Sequence, residues 1–296
     1  MKFRTEYEVA KAPFTLSPEK PVVLCGSCFS QNIAARMNNS LWKAVNPLGT
    51  LYNPFSLAFV LDMMADEEKG LQRFGKSLFE FNGIWNSSFF DSSFSSSVKD
   101  DCLEEFTLRQ AEFNKILNEG KVLIITLGTS ICYHEADSGI AVGNCHKQPA
   151  NLFYRKRMTT TQVASYFDPV IERLQEKFPG IRIIFTVSPV RHLKDGFVGN
   201  MRSKATLILG VEEILKYNEG CYYFPAFEIM NDDLRDYRFY ASDLTHPSEE
   251  AVEYIWEIFR KTFVDEEGEN LLKEGERQVK ARNHRPKLGA LQKPLR

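Results

Sequence analysis

Four short stretches are predominantly apolar: Val22–Cys25, Val122–Leu127, Ile181–Val187 and Cys221–Phe224. Each is strand length, and such continuous runs predict strands buried on both faces. Between them, apolar residues recur at helical spacing. A helix over 29–38 brings Ile33 and Met37 to one side, and a second starts at Pro54, a residue suited to a first turn, and runs to Ala65. Residues 101–118 turn Leu103, Phe106, Phe113, Ile116 and Leu117 inward, with Gly120 as the stop. Residues 159–178 carry Val163, Phe167, Val170, Ile171 and Leu174 on one face, and Pro169 predicts a kink or a break there. Further helices are expected over 200–217 and from Ser248, a cap residue, through Ile255 and Phe259.

Smaller features fill the gaps. A short second strand ends near Val45, and residues 134–153 read as a loop. Leu78–Phe81 and Ile84–Trp85 flank Asn82-Gly83, a strong hairpin signal. This hairpin and the Ser- and Phe-rich stretch to residue 98 form an insertion. Its aromatics either pack the hairpin or make a lid over an apolar group, packing being the simpler reading. Residues 225–234 are a helical turn.

Strand and helix alternating about five times predict an α/β fold with a mainly parallel sheet of about five strands, helices covering both faces. We expect one domain over 1–265 with the insertion near 77–98. A charged, exposed helix and a basic tail follow over 266–296, the tail holding Arg285, Lys287, Lys293 and Arg296. In open parallel sheets, ligands bind beyond the carboxyl ends of the strands. Ser27, Cys28, Gly49, Gly128, Ser130, Arg191 and the Asp243/His246 loop belong to those ends.

Composition narrows the classes. The chain has 296 residues, 43% of them hydrophobic, and a formal net charge of -2, so nothing in the bulk charge calls for nucleic acid. No apolar run reaches membrane-spanning length and the first residues lack a signal-peptide core, so neither a membrane nor a secretory route is expected, and the cytoplasm is. Six scattered cysteines do not resemble a disulfide framework. Gly26-Ser27-Cys28-Phe29-Ser30 is not a dinucleotide fingerprint, and no His pair has metal-ligand spacing, so neither a cofactor nor a metal is expected.

The candidate chemistry is acyl transfer, which needs a nucleophile, a base and a group that orients the base. Ser27 and Cys28 sit at a strand-to-helix turn, where the helix amino terminus favours an anion. Asp243-Leu244-Thr245-His246 supplies a carboxylate three residues before an imidazole. His146, Lys147, Arg191 and His192 line the same edge. Arg191 suits a carboxylate or phosphate on a substrate, or equally pairs with Asp243 or Glu228 to hold loops.

With these residues in view, the chain resembles the GSCFA family, whose motif stands here as Gly26-Ser27-Cys28-Phe29-Ser30, with Ser30 in place of alanine. The likeness continues through Thr126–Thr129, Asn144–Pro149, Ser188–Arg191, Leu234–Tyr240 and Asp243–Pro247, covering about 20–265. That family looks like a branch of the SGNH/GDSL hydrolases. The resemblance implies a three-layer α/β/α sandwich with a flavodoxin-like sheet, and a hydrolase or acyltransferase acting on a small-molecule or carbohydrate ester.

Aligned on Gly26, the hydrolase serine position holds Cys28, while Ser27 has the usual hydroxyl; register favours Cys28. The usual oxyanion asparagine is replaced in Gly128-Thr129-Ser130, leaving Ser130 or Asn144 as side-chain donors beside the Cys28 and Gly49 N–H groups. Two other readings stand beside this one. One is an inactive ligand-binding relative; the other is a thioredoxin-like redox pair, Cys25 and Cys28, disfavoured because Cys25 lies within the strand run.

Overall fold

In a computed structural model, residues 4–283 are described; the basic tail beyond Asn283 lies outside them. Ten strands and nine helices follow in chain order among these residues. The strands are β1 (Val22–Gly26), β2 (Ala44–Val45), β3 (Leu78–Phe81), β4 (Ile84–Ser87), β5 (Val122–Leu127), β6 (Ile131–Glu135), β7 (Ala141–Val142), β8 (Phe153–Arg157), β9 (Arg182–Val187) and β10 (Cys221–Phe224). The helices are α1 (Cys28–Asn39), α2 (Pro54–Ala65), α3 (Gly70–Lys76), α4 (Lys99–Gly120), α5 (Thr160–Lys177), α6 (Gly196–Tyr217), α7 (Ala226–Glu228), α8 (Glu249–Phe263) and α9 (Glu266–Asn283).

The central sheet has the order β10-β9-β5-β1-β2, with every pair parallel. Alternate strand residues feed two cores. Val23, Cys25, Leu123, Ile125, Ile183 and Phe185 meet α2, α4, α5 and α6. Val22, Leu24, Val122, Ile124, Ile184 and Phe224 meet α1, α8 and the amino-terminal arm at Leu16. The molecule is therefore a three-layer α/β/α sandwich. The chain leaves β1 toward β2 on one side and later returns to β5 on the other, so the strand order reverses between β1 and β5. That reversal opens a crevice at the carboxyl edge, the usual ligand position.

Four expectations need correction. Residues 134–153 are only in part a loop: β6 runs on to Glu135 and pairs antiparallel with both β7 and β8. β7 is only two residues long and β8 is rich in charge and partly exposed, so no apolar alternation marks them; they are held by cross-strand contacts such as the stacked His134 and Tyr154 rings, 5.1 Å apart. Pro169 does not break α5. Both Pro169 and Ser165 are exposed, so the carbonyl freed by the missing N–H faces water.

The third correction concerns α4, which includes Gly120; the left-handed cap is Lys121, at φ 56°. Gly120 is required because a Cβ there would lie 1.6 Å from the Pro21 carbonyl oxygen. Lastly, α9 is not simply exposed. Leu272 is buried, and Arg260 reaches Glu269 at 2.7 Å and Glu276 at 2.7 Å.

Two elements pack the insertion onto the domain. The β3–β4 hairpin turns through Asn82 and Gly83, both at positive φ. Phe90 and Phe94 then bury against Phe74 and Phe106.

Candidate active site

The turn from β1 into α1 is built on Gly26, at φ +120°, where a Cβ would meet the Thr126 carbonyl oxygen at 2.0 Å. Ser27 N–H donates to that same oxygen at 3.0 Å. The Ser27 side chain, 1% exposed, caps α1 by accepting from Phe29 N–H at 3.4 Å. Ser30 Oγ, where the family has alanine, donates back to the Ser27 carbonyl at 2.8 Å. Cys28 is the first helical residue and is partly exposed. Of the two candidate nucleophiles, it is the one a ligand can reach.

The chain after β2 crosses this turn. Leu51 N–H donates to the Gly26 carbonyl at 2.9 Å, and the Tyr52 carbonyl accepts from Gly128 N–H at 2.8 Å and Thr129 N–H at 2.9 Å. The link between the ends of β1 and β5 sets Tyr52 Oη 3.3 Å from Cys28 Sγ. Burial first, and then the Cys28 contact, push the Tyr52 phenol up, so at neutral pH it is a protonated donor. Gly49, at φ +71°, lies against the Asp91 carboxylate, where a Cβ would come within 2.5 Å of either oxygen. Asp91 accepts from Thr50 N–H at 2.5 Å and so ties the Gly49 loop to the insertion.

At the far end of the chain, Asp243 and His246 meet. Asp243 Oδ2 accepts from His246 Nδ1 at 2.5 Å, while Oδ1 accepts from Thr245 N–H at 2.9 Å and His246 N–H at 3.0 Å. The His246 and Thr245 amides, and then the imidazole, hold the Asp243 carboxyl far below the usual carboxylate range. With Nδ1 engaged, Nε2 has no hydrogen-bond partner among the described residues, and the side chain is 45% exposed. This loop is fastened to the end of β9: Arg191 N–H donates to the Thr245 carbonyl and Arg191 Nη1 to the Leu244 carbonyl, each at 3.0 Å. Arg191 thus holds a loop, but through carbonyls and not through an acid. Glu228 instead accepts from Tyr223 Oη at 2.8 Å.

His192 connects the two halves. Its ring stands edge-on to Tyr52, 5.6 Å between centroids. Burial first, then the Lys204 and His246 charges, bring the His192 imidazole down to about 4, so it is neutral and a poor base at neutral pH. Lys204, itself buried, donates from Nζ to the Gly128 carbonyl at 2.7 Å and the Ser188 carbonyl at 2.6 Å. Burial lowers the Lys204 amine to about 7. Cys28, Tyr52 and His192 therefore form a contiguous series, with His246 near enough to His192 to influence it. The thiol's hydrogen-bond partner is Tyr52 and not His246.

Three expected site residues have other partners. Ser130 has no exposed surface, and its amide and hydroxyl both bond Ser203 Oγ, so it offers nothing to an oxyanion. Asn144 Oδ1 caps its own loop by accepting from His146 N–H at 2.9 Å. His146 Nε2 bonds the Ser87 and Phe90 carbonyls at 2.7 and 3.1 Å, which pins the insertion. Cys25 is fully buried in the core opposite α1, and burial pushes its thiol strongly up, so it does not pair with Cys28. Among the described residues, no cluster of His, Cys, Asp or Glu could hold a metal ion.

Tyr52 and Lys204 are the additions the structure makes, and His192 stands on the edge where its position after Arg191 put it. Sequence offered one faint signal, the position of Tyr52 three residues after Gly49.

No curated protein matches the chain. The model of the GSCFA family matches residues 21–259, a span running from the start of β1 into α8 and enclosing both the Cys28 turn and the Asp243–His246 loop. That span is most of the chain, and this protein belongs to the GSCFA family.

Proposed function

We propose that this protein is an SGNH/GDSL-like hydrolase or acyltransferase of ester-type bonds, with Cys28 as nucleophile, His246 as base and Asp243 as its orienter. One observation carries the reading. An imidazole fixed by a carboxylate, with Nε2 open, occupies the same sheet edge as a partly exposed thiol at a helix amino terminus.

In the proposed step, His246 serves Cys28 from its exposed loop. Nε2 takes the thiol proton while Sγ bonds the ester carbonyl carbon. The carbonyl electron pair moves to oxygen, where Tyr52 Oη and the Cys28 and Gly49 amides donate. Collapse breaks the ester C–O bond, and the alcohol leaves with the proton from His246. Water or a second alcohol, deprotonated by His246, then attacks the thioester and returns Cys28 to the thiol. His192 is the weaker choice of base, because its imidazole is held near 4 and its Nε2 is buried.

Six free cysteines fit a reducing compartment, and we place the protein in the cytoplasm. The rival reading is a binding protein that kept the fold without the chemistry. Turnover of 4-nitrophenyl esters of short acids separates the two. The hydrolase reading expects release of nitrophenol by the natural protein, and none from Cys28→Ser or His246→Ala. Equal release from all three contradicts it, and no release from a broad ester and thioester panel favours binding alone.

A further inference from the structure

A cavity of about 340 Å³ is lined in part by Arg191, the residue that anchors the Asp243–His246 loop, and by Phe197, Met201, Met230, Tyr237 and Tyr240. Its chemistry is unusual for a surface dent. The Arg191 guanidinium is held among three rings, 5.1 Å from Phe197, 5.7 Å from Tyr237 and 5.4 Å from Tyr240. It makes no ion pair among the described residues. Its single side-chain hydrogen bond there is to the Leu244 carbonyl, which leaves most of its fan of N–H donors unused.

Charge around the cavity favours an anion. Arg235 also lines it, paired at 3.7 Å with Asp232; the acid that lines the cavity, Asp236, caps its own turn at Arg238 N–H and pairs with Arg238 at 3.8 Å, leaving Arg191 as the cation without an ion pair among the described residues. The rim is apolar and open: Phe197 is 64% exposed, Tyr237 61% and Met201 52%. Single exposed apolar residues are ordinary, but three gathered about one fixed cation in a concavity mark a ligand site.

We propose that this cavity is a subsite for an anionic oxygen group, a carboxylate or phosphate, carried on a short aromatic or apolar moiety. Arg191 receives the anion and Phe197, Tyr237 and Met201 cover the apolar part. Arg191 ties it to the loop that carries His246, so on the ester-transfer reading it takes one side of the substrate, and the substrate class is an anionic ester. The binding claim stands on the cavity; the word substrate rests on the ester-transfer reading above.

Met201 and Met230 are two of seven methionines in the chain, so their ε-methyl NMR signals report on this cavity directly. The full chain is titrated with phenyl phosphate, benzoate and benzyl alcohol, three probes sharing a ring but not a charge. At least one anion should move both methyl signals at concentrations about tenfold or more below those needed for the alcohol, in line with the strength of charge-assisted hydrogen bonds. Phosphate and carboxylate arms tell the two anions apart. Arg191→Met should erase the preference and Arg191→Lys should keep part of it.

Equal response to the alcohol and the anions, response confined to other methionines, or no response at all overturns the subsite. The wild-type comparison decides this even if the variants fold poorly. Methyl shifts without any acylation of Cys28 would leave the subsite standing and remove the ester chemistry. Acylation indifferent to substrate charge, with no methyl shifts, would do the reverse.

Discussion

Tyr52 reaches the thiol because its own backbone is spoken for: the carbonyl is taken by Gly128 and Thr129, so the side chain points where β1 and β5 diverge. A neutral phenol there can donate first to Cys28 and then to an ester oxygen one bond away. Tyr52→Phe should lower the rate of Cys28 acylation by roughly 10²-fold, the cost of one oxyanion donor, while thermal unfolding stays nearly unchanged because the ring still packs on His192. A loss of stability matching the loss of rate would contradict a donor role.

His192 makes a second prediction at this scale. Its ordinary value lies near 6.5 and its folded value near 4, so between these the unfolded chain binds the extra proton. Stability from this group is therefore present above about 6.5 and lost as pH falls toward 4, by roughly 2–3 kcal/mol. Urea midpoints measured from pH 7 to pH 4 should fall, and His192→Gln should flatten part of that fall. Tyr52 did not stand out in sequence, since a tyrosine beside apolar residues is ordinary core material until the fold places it, whereas His192 was legible only as a residue of the edge, without its burial.

Among the elements, the β1–α1 turn tolerates little change. Gly26→Ala adds a Cβ 2.0 Å from a carbonyl oxygen in a backbone conformation that side chains rarely adopt. It should cost on the order of 3 kcal/mol in chemical denaturation, because relief would have to pull β1 from β5. The Gly49 loop is softer. Asp91→Ala removes its tether to the insertion and should slow Cys28 acylation more than it lowers the unfolding midpoint, if Gly49 N–H serves the oxyanion.

Element by element, the sequence was clearest where burial is two-sided. The β1, β5 and β9 runs needed no partner to be recognised, because apolar residues face both cores. β6 and β8 could not be seen that way. Their residues include Arg155, Lys156 and Arg157, and pairing, not burial, makes them strands. Gly120 shows the same limit: its role is close approach to Pro21, a contact across the fold that local pattern does not encode.

For the whole molecule, two cores on one parallel sheet fix the crevice, and the carboxyl edge collects residues from positions 26 to 246. The Asp243–His246 pair was legible because it is local. The meeting of its loop with Arg191 was not, since Arg191 reads equally well as a ligand for an anion or as a partner for an acid. α9 completes the far side through Arg260, whose guanidinium spans Glu269 and Glu276. Arg260→Ala should destabilise the fold by about 1–3 kcal/mol in thermal or urea unfolding, and leave Cys28 acylation per folded molecule unchanged.

Intact-mass spectrometry after incubation with acetyl and butyryl thioesters tests the central assignment most directly. The account predicts one acyl group per chain, located on Cys28 by peptide mapping and absent in His246→Ala. An adduct on Ser27, an adduct that survives loss of His246, or an unmodified chain after every donor would contradict it.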